Sequence, residues 1–399
     1  MIILNYSLFK IFYTLGLSKF DILPNKTLED FDLDDYLDEE NIKKITVGEL
    51  LTHTSGLDSF SNNIIGEKGH FSYSNYGYSL LGKIIEKKSG KKYNEFMKEN
   101  IFDKLNMVNT RAIYDSSIID SYSNFFGFKH KYNSLESEIG DGFDIPAGYI
   151  SSSIEDMGNY LRYYLKNKDY LVQMFRIEKG YNEDYGGGLY IQKTTNQTIY
   201  QHRGQTFTYL SQIYIFPDID LAFAVLTNTV DYFNIDYLFS AFIKNIENFL
   251  VNDVYEEIND SVYFYTHFTM DMIIIFIISI PLSYFIITLI RKIKRKPYSW
   301  FNGKKGIIIF VVDVLLLFIL PIFILITSFV NKNIKITISA INDFYFMVIT
   351  ISVTLLSTII MKLIYCLLYK KFIKSYNEFN SKRVQNENLT DLVDMNDDE

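Results

Sequence analysis

Three long apolar runs in the last third of the chain constrain it more than any other feature. Met272–Ile290 holds 19 residues without a charge, and at about 1.5 Å per residue such a helix covers roughly 28 Å, close to a bilayer core. Gly306–Val330 contains 25 residues with one acid, Asp313, and Phe344–Leu368 contains 25 with one base, Lys362. Core helices of a soluble domain are rarely so long or so uninterrupted, so the pattern predicts three membrane spans. The connecting segments are asymmetric. Arg291, Lys292, Lys294, Arg295, Lys296, Lys304 and Lys305 separate the first two runs, and Lys370, Lys371 and Lys374 follow the third. Between the second and third runs only Lys332 and Lys335 appear, with Asp343. The positive-inside bias therefore predicts that loop 291–305 and the tail are cytoplasmic, and that residues 1–269 lie on the other side. Asp313 sits near Lys304 and Lys305 and reads as a paired or snorkelling residue. Spans so poor in charge make a transport role a weak reading.

The charge split supports two regions facing different solvents. Residues 1–269 carry 24 Lys+Arg against 37 Asp+Glu, a net of −13, whereas residues 270–399 carry 15 against 10, a net of +5. An acidic front region without a basic tract argues against nucleic acid as a partner. The single cysteine, Cys366, excludes internal disulfides, thiolate clusters and C-x-x-C redox chemistry. No His/Asp/Glu spacing points to a metal, and nothing calls for a cofactor. The expected organisation is a globular domain over 1–250, a connector over 251–271, a membrane region over 272–368 with spans 272–290, 306–330 and 344–368, and a charged tail over 369–399.

Within 1–250 the pattern is mixed. Apolar spacing predicts helices over 7–20, Ile45–Thr52, Tyr76–Lys87, Ser153–Leu165 and Phe239–Val251. The fourth opens with a serine cap and Glu155–Asp156 in its first turn. After Gly186–Gly188 the texture becomes β-rich. Leu189–Gln192, Thr198–His202, Tyr209–Phe216 and Leu221–Leu226 read as consecutive antiparallel strands separated by turns.

Four motifs follow one another along this region. They are Leu50-Leu51-Thr52-His53-Thr54-Ser55-Gly56-Leu57; Phe71-Ser72-Tyr73-Ser74-Asn75 running into Tyr78-Ser79-Leu80-Leu81-Gly82; Ile145-Pro146-Ala147-Gly148-Tyr149; and Tyr200-Gln201-His202-Arg203-Gly204-Gln205. Each alone is weak, but their order is specific. Over roughly residues 5–250 the chain resembles the serine β-lactamase-like family of class C β-lactamases, D-alanyl-D-alanine carboxypeptidases, D-aminopeptidases and related esterases. The resemblance implies an α+β fold: an antiparallel sheet flanked by helices, with a helical subdomain.

It also implies acyl transfer by a serine in S-x-x-K at a helix start. Residues i and i+3 share a helix face, so the amine can touch the hydroxyl, and the helix N-terminus favours a developing oxyanion. Two such strings exist, Ser7–Lys10 and Ser89–Lys92. The first precedes an amphipathic stretch and the T-H-T-S-G run in the family's order, so Ser7 is the implied nucleophile and Lys10 its partner. Two Y-S-N strings also exist, Tyr73–Asn75 and Tyr122–Asn124, and only the first runs into the expected helix. The resemblance then makes Tyr73 the proton shuttle, with a phenol lowered by Lys10, and Asn75 a hydrogen-bond partner of Lys10 and the substrate amide. His202 would hold Tyr73 and the acyl group. Gly204 would let the strand approach the substrate, and the Gln205 N–H would join that of Ser7 as oxyanion donors. His53 reads as a buried structural hydrogen-bonder.

The chain departs from the family at two places. Only Met1–Tyr6 precede Ser7, so the strands usually found ahead of the nucleophile are missing, which reads as an N-terminal truncation. Only Asp58–His70 separates the first two motifs, so the helical subdomain and the cleft wall should be reduced. The expected protein is a membrane-anchored extracytoplasmic serine hydrolase acting on a peptide amide or ester. Candidate substrates are a peptidoglycan stem peptide, a D-amino-acid peptide or an ester; the other partner is the lipid bilayer. A non-catalytic membrane-anchored binding domain is the alternative these residues leave open.

Overall fold

The computed structural model describes residues 23–37, 40–113, 121–125, 128–132, 142–169, 171, 184–186, 188–195, 197–206, 209–230, 237–258, 260–293 and most of 346–358, with the backbone of 2–4 and residues 360, 364, 378 and 381. The described strands are β1 (Ile2–Leu4), β2 (Ser121–Phe125), β3 (Phe128–Tyr132), β4 (Ile150–Ser152), β5 (Tyr185–Gly186), β6 (Leu189–Lys193), β7 (Thr198–Gln205), β8 (Leu210–Phe216), β9 (Leu221–Thr227) and β10 (Thr229–Val230). The described α-helices used below are α1 (Glu40–Lys43), α2 (Val47–Leu51), α3 (Asn75–Ser89), α4 (Tyr93–Met97), α5 (Ile145–Gly148), α6 (Ile154–Lys166), α7 (Tyr237–Asn252) and α8 (Asp260–Ile293). The chain divides into two compact units, Met1–His267 and Phe268–Glu399.

The first unit is built on a five-stranded antiparallel sheet in the order β5-β6-β7-β8-β9, each strand pairing with its sequence neighbour. The side-chain period of two sorts its residues onto two faces. His202, Gly204, Ser211, Ile213 and Ile215 share one face through the pairs His202↔Ile213 and Gly204↔Ser211. Ile213 and Ile215 on that face join the main core with residues of α2, α3, α4 and α6. Ile199, Tyr214 and Phe216 face the other way and pack with Ile243 of α7 into a second apolar cluster. The sheet is thus covered on both faces, and its strands stay in register because a slip of one residue would expose both clusters.

Two smaller sheets complete the unit. β1 pairs antiparallel with β4, Ile3 opposite Ser151. β10 pairs parallel with β2, which forms a hairpin with β3. That hairpin is not among the strands expected from sequence, because its residues lack a clear alternation. Ser121–Phe125 holds three polar residues in five.

Helix limits follow the caps. α2 begins in a capping box: Thr46 Oγ1 accepts from the Glu49 N–H at 3.2 Å, and Glu49 Oε2 accepts from the Thr46 N–H at 2.8 Å. Ser74 caps α3 and Gly90, at φ 67°, ends it. Ser153 caps α6 by accepting from the Asp156 N–H at 3.2 Å. The buried Asp156 carboxylate reaches back to the Asn109 N–H at 2.8 Å and the Thr110 hydroxyl at 2.7 Å, tying α6 to the loop after α4.

Helix α8 starts at Asp260, ahead of Met272, so the stretch expected as a connector is partly helical. Its segment Phe264–Ile287, 24 residues, is long and apolar enough to cross a membrane. Run 306–330 lies outside the described residues, and within 344–368 the described apolar helix is Ile349–Thr358.

Candidate functional site

The site grows from the reversal after α2. Thr52 closes the helix by donating its hydroxyl to the Gly48 carbonyl at 2.7 Å and contacts Thr54 Oγ1 at 2.9 Å. His53 then takes φ 56° and Gly56 φ 78°, left-handed values that turn the chain sharply. Such a φ is uncommon for histidine, and here the surrounding hydrogen bonds enforce it. It sends the imidazole inward. Nδ1 accepts from the Ser74 N–H at 3.0 Å, so the neutral ring carries its proton on Nε2. Burial first, and His202 second, hold the His53 pKa well below the usual 6.5.

That hydrogen bond fixes the start of α3. Ser74 Oγ accepts from the Gly77 N–H at 3.0 Å and donates to the Asp58 carbonyl at 2.8 Å. Tyr73, one residue ahead of the cap, lies against His53 with ring centroids 4.1 Å apart. Asn75 opens the helix and its N–H bonds Ser59 Oγ at 3.2 Å. The short Asp58–His70 segment thus supports the Y-S-N turn directly.

From the sheet, β7 brings His202 to the same place. Its ring centroid lies 6.4 Å from that of Tyr73, and Nε2 is 3.3 Å from the Tyr185 hydroxyl. Arg203 points to the opposite face, where it donates to Ser240 Oγ at 3.0 Å and lies over the Phe239 ring, fixing β7 to α7. Gly204 is buried beside Ser211, and Gln205 is exposed at the strand end.

The structure therefore brings Tyr73 and His202 together, with Asn75 next to the first and Gly204 and Gln205 beyond the second. Ser7 and Lys10 lie outside the described residues, as does the expected helix 7–20. The competing strings fall elsewhere. Tyr122–Asn124 is on strand β2, and Ser89 is the last residue of α3, where the helix dipole opposes an oxyanion.

Burial first, and the Tyr190 phenol second, push the Tyr73 pKa up from its ordinary 10. The lowering expected from Lys10 rests on a side chain outside the described residues, and the described surroundings favour the protonated phenol. His202 moves the other way. Burial lowers it from 6.5 to about 4, partly opposed by a backbone hydrogen bond at Arg203.

This shift has a consequence for stability. Between pH 6.5 and about 4 the unfolded chain binds a proton at this histidine and the folded chain does not. Stability is therefore full above 6.5, declines as the pH falls through that window and levels off below about 4. At about 1.36 kcal/mol per pH unit, His202 alone contributes about 3 kcal/mol to the decline. Urea unfolding from pH 7 to 4.5 should show it, with a shallower slope in His202→Gln. An identical slope in the variant would contradict a buried neutral imidazole.

Around these groups stand aromatic residues that sequence patterning does not single out. Tyr185 is buried and Tyr190 partly exposed, paired across β5 and β6, and Phe71 completes a wall beside His53 and Tyr185. In a chain with 32 tyrosines none of these is conspicuous. Only the pairing Tyr185↔Tyr190 brings them to the site.

Comparisons with known proteins give one family match and several similar solved structures. A family model described as "Beta-lactamase" matches residues 25–236. The match contains Tyr73, Asn75, His202, Gly204 and Gln205 and begins beyond Ser7 and Lys10. No curated protein sequence matches the chain. Among solved structures, an octameric penicillin-binding protein homologue from Pyrococcus abyssi is similar at 22% identity and TM-score 0.45, over 61% of this chain and 66% of that one. A D-amino acid amidase from Ochrobactrum anthropi is similar at 18% identity and TM-score 0.44, over 57% and 77%. A beta-lactamase/D-alanine carboxypeptidase from Yersinia pestis is similar at 16% identity and TM-score 0.44, over 57% and 78%. The family match alone spans more than half of the chain and includes both motifs that meet at the site, so the protein belongs to the beta-lactamase family.

Proposed function

We propose that this protein is a membrane-anchored extracytoplasmic serine hydrolase that cleaves a peptide amide or ester through an acyl-enzyme. The observation that carries the reading is the meeting of Tyr73, at the start of α3, with His202, on β7, 6.4 Å apart between rings. Two hydrogen-bonding groups from different motifs facing one point are what acyl transfer needs beside its nucleophile.

In this reading Ser7 Oγ attacks the carbonyl carbon. Its proton passes to Tyr73 Oη as Tyr73 gives its own proton to the departing amine or alcohol, so the phenol ends as it began. A protonated Tyr73, as its surroundings favour, suits such a relay better than a phenolate. Lys10 and Asn75 hold the serine and the substrate amide, His202 orients the acyl side, and the N–H groups of Ser7 and Gln205 receive the oxyanion. Water then releases the acid. Cell-wall stem peptides, small D-amino-acid peptides and esters are the substrate classes proposed. The apolar stretch of α8 supports anchoring, and the basic loop 291–305 supports an orientation with the hydrolase domain outside.

A membrane-impermeant fluorophosphonate probe tests nucleophile and orientation together. Applied to intact cells, it should leave an adduct on the Ser7 peptide, read by mass spectrometry. Ser7→Ala should abolish the adduct and Ser89→Ala should retain it. Labelling only after lysis would reverse the orientation, and no adduct in either condition would leave a non-catalytic binding domain.

A further inference from the structure

We propose that Tyr185 is a positioning residue for His202: its hydroxyl fixes the orientation of the imidazole and keeps that ring in the Nδ1–H tautomer. The role assigned to His202 rests on the function proposed above, whereas the tautomer rests on the contact between the two side chains.

Tyr185 lies on β5, at the edge of the sheet, and is buried. It therefore does not line an open surface that a substrate touches. Its ring instead packs on the site groups. The centroids lie 4.7 Å from His53, 6.0 Å from His202 and 6.4 Å from Tyr73. On its outer side Tyr190 stands edge-on at 4.7 Å and Phe71 at 5.7 Å. One side chain thus bridges the α3 turn and strand β7.

Its polar end makes the more specific contact. The hydroxyl oxygen is 3.3 Å from His202 Nε2. Burial keeps the phenol protonated, and burial also keeps His202 neutral, so the pair shares two protons. Tyr78 donates its hydroxyl to the Leu51 carbonyl at 2.8 Å, which leaves its oxygen as a second acceptor in hydrogen-bonding reach of Tyr185. An imidazole nitrogen is a far stronger base than a phenol oxygen, so the Tyr185 proton points to Nε2. The His202 proton must then reside on Nδ1. His53 has the opposite assignment, since its Nδ1 accepts from the Ser74 N–H. Two neighbouring sites within one aromatic cluster therefore hold histidines of opposite tautomer, each set by one adjacent donor.

The experiment is ¹⁵N–¹H correlation spectroscopy of the full-length chain, labelled at its five histidines and solubilised in detergent. Subtraction of the His202→Gln spectrum assigns His202. The wild type should show His202 as the Nδ1–H form and His53 as the Nε2–H form. Tyr185→Phe retains the ring and should turn His202 into a mixture of tautomers while His53 is unchanged. In the same variant kcat should fall about tenfold, the scale of one lost hydrogen bond, with KM little altered. An Nε2–H form of His202 in the wild type would overturn the proposal, as would a tautomer indifferent to Tyr185→Phe. Unfolding midpoints of both proteins show whether the variant is folded, and Tyr185→His, which restores a donor, keeps the test open if it is not. If the wild type forms no acyl-enzyme yet shows these tautomers, the hydrolase reading fails and the positioning of His202 stands.

Discussion

Tyr73→Phe should lower kcat/KM by about 10²–10⁴-fold, roughly 3–5 kcal/mol of barrier, while leaving the fold intact. The substitution is clean because the ring and hydroxyl have separate duties. Packing comes from the tilted contact with the His53 ring at 4.1 Å, which a phenylalanine ring preserves. Among the described residues, the rise in the Tyr73 pKa comes from burial and a neighbouring phenol. If Tyr73 only packed, loss of its hydroxyl would change the rate of the folded fraction little. The measurement is hydrolysis of a D-alanyl peptide and of an aryl ester, normalised to folded protein. Because burial raises the phenol above its usual 10, wild-type activity that depends on this proton should persist through neutral pH and decline only on the alkaline side. Equal rates for both proteins would reduce Tyr73 to packing.

The second large effect is on folding. Gly82→Ala should destabilise the domain by about 3 kcal/mol, the upper end for overpacking a tight core. A Cβ at Gly82 would stand 2.2 Å from Pro146 Cγ and 2.8 Å from its Cβ. The proline ring cannot swing aside, since it is a buried part of α5, where Ser79 of α3 donates to Asp144 Oδ1 at 3.2 Å. Alanine would otherwise favour a helix over glycine by about 1 kcal/mol, so a net loss isolates the clash. Pro146→Ala removes Cγ and Cδ and should restore part of the stability in the double variant, as a coupled pair requires. Additive losses in that cycle would show that the helices relax apart instead. This contact also explains why the second and third motifs occur together: Gly82 of one is the seat for Pro146 of the other.

The beta-lactamase-type architecture was legible in the sequence because its signals are local. The cap at Ser153 and the β-rich run from Leu189 to Leu226 each depend on a few neighbouring residues. The choice of Tyr73 over Tyr122, and the dismissal of Ser89, likewise follow from what comes next in the chain, and the helix and strand limits agree. The hairpin β2–β3 is silent in the sequence because its strands have no apolar alternation and pair through contacts distant along the chain, such as Thr229↔Tyr122.

Charge state was the property least open to sequence reasoning. Desolvation of the Tyr73 phenol depends on what surrounds the ring. Tyr190, brought over by a strand 117 positions further on, supplies the second cause of the rise. The same holds for Tyr185. No spacing sets it apart from the other tyrosines, and only the pairing of β5 with β6 places its hydroxyl on His202. The sequence by itself determined the residue types, the helix and strand order and the apolar runs, because propensity, capping and hydropathy act within a few residues. The tertiary structure alone decided which buried rings meet and which protons they keep, because burial and ring contact are set by segments far apart in the chain.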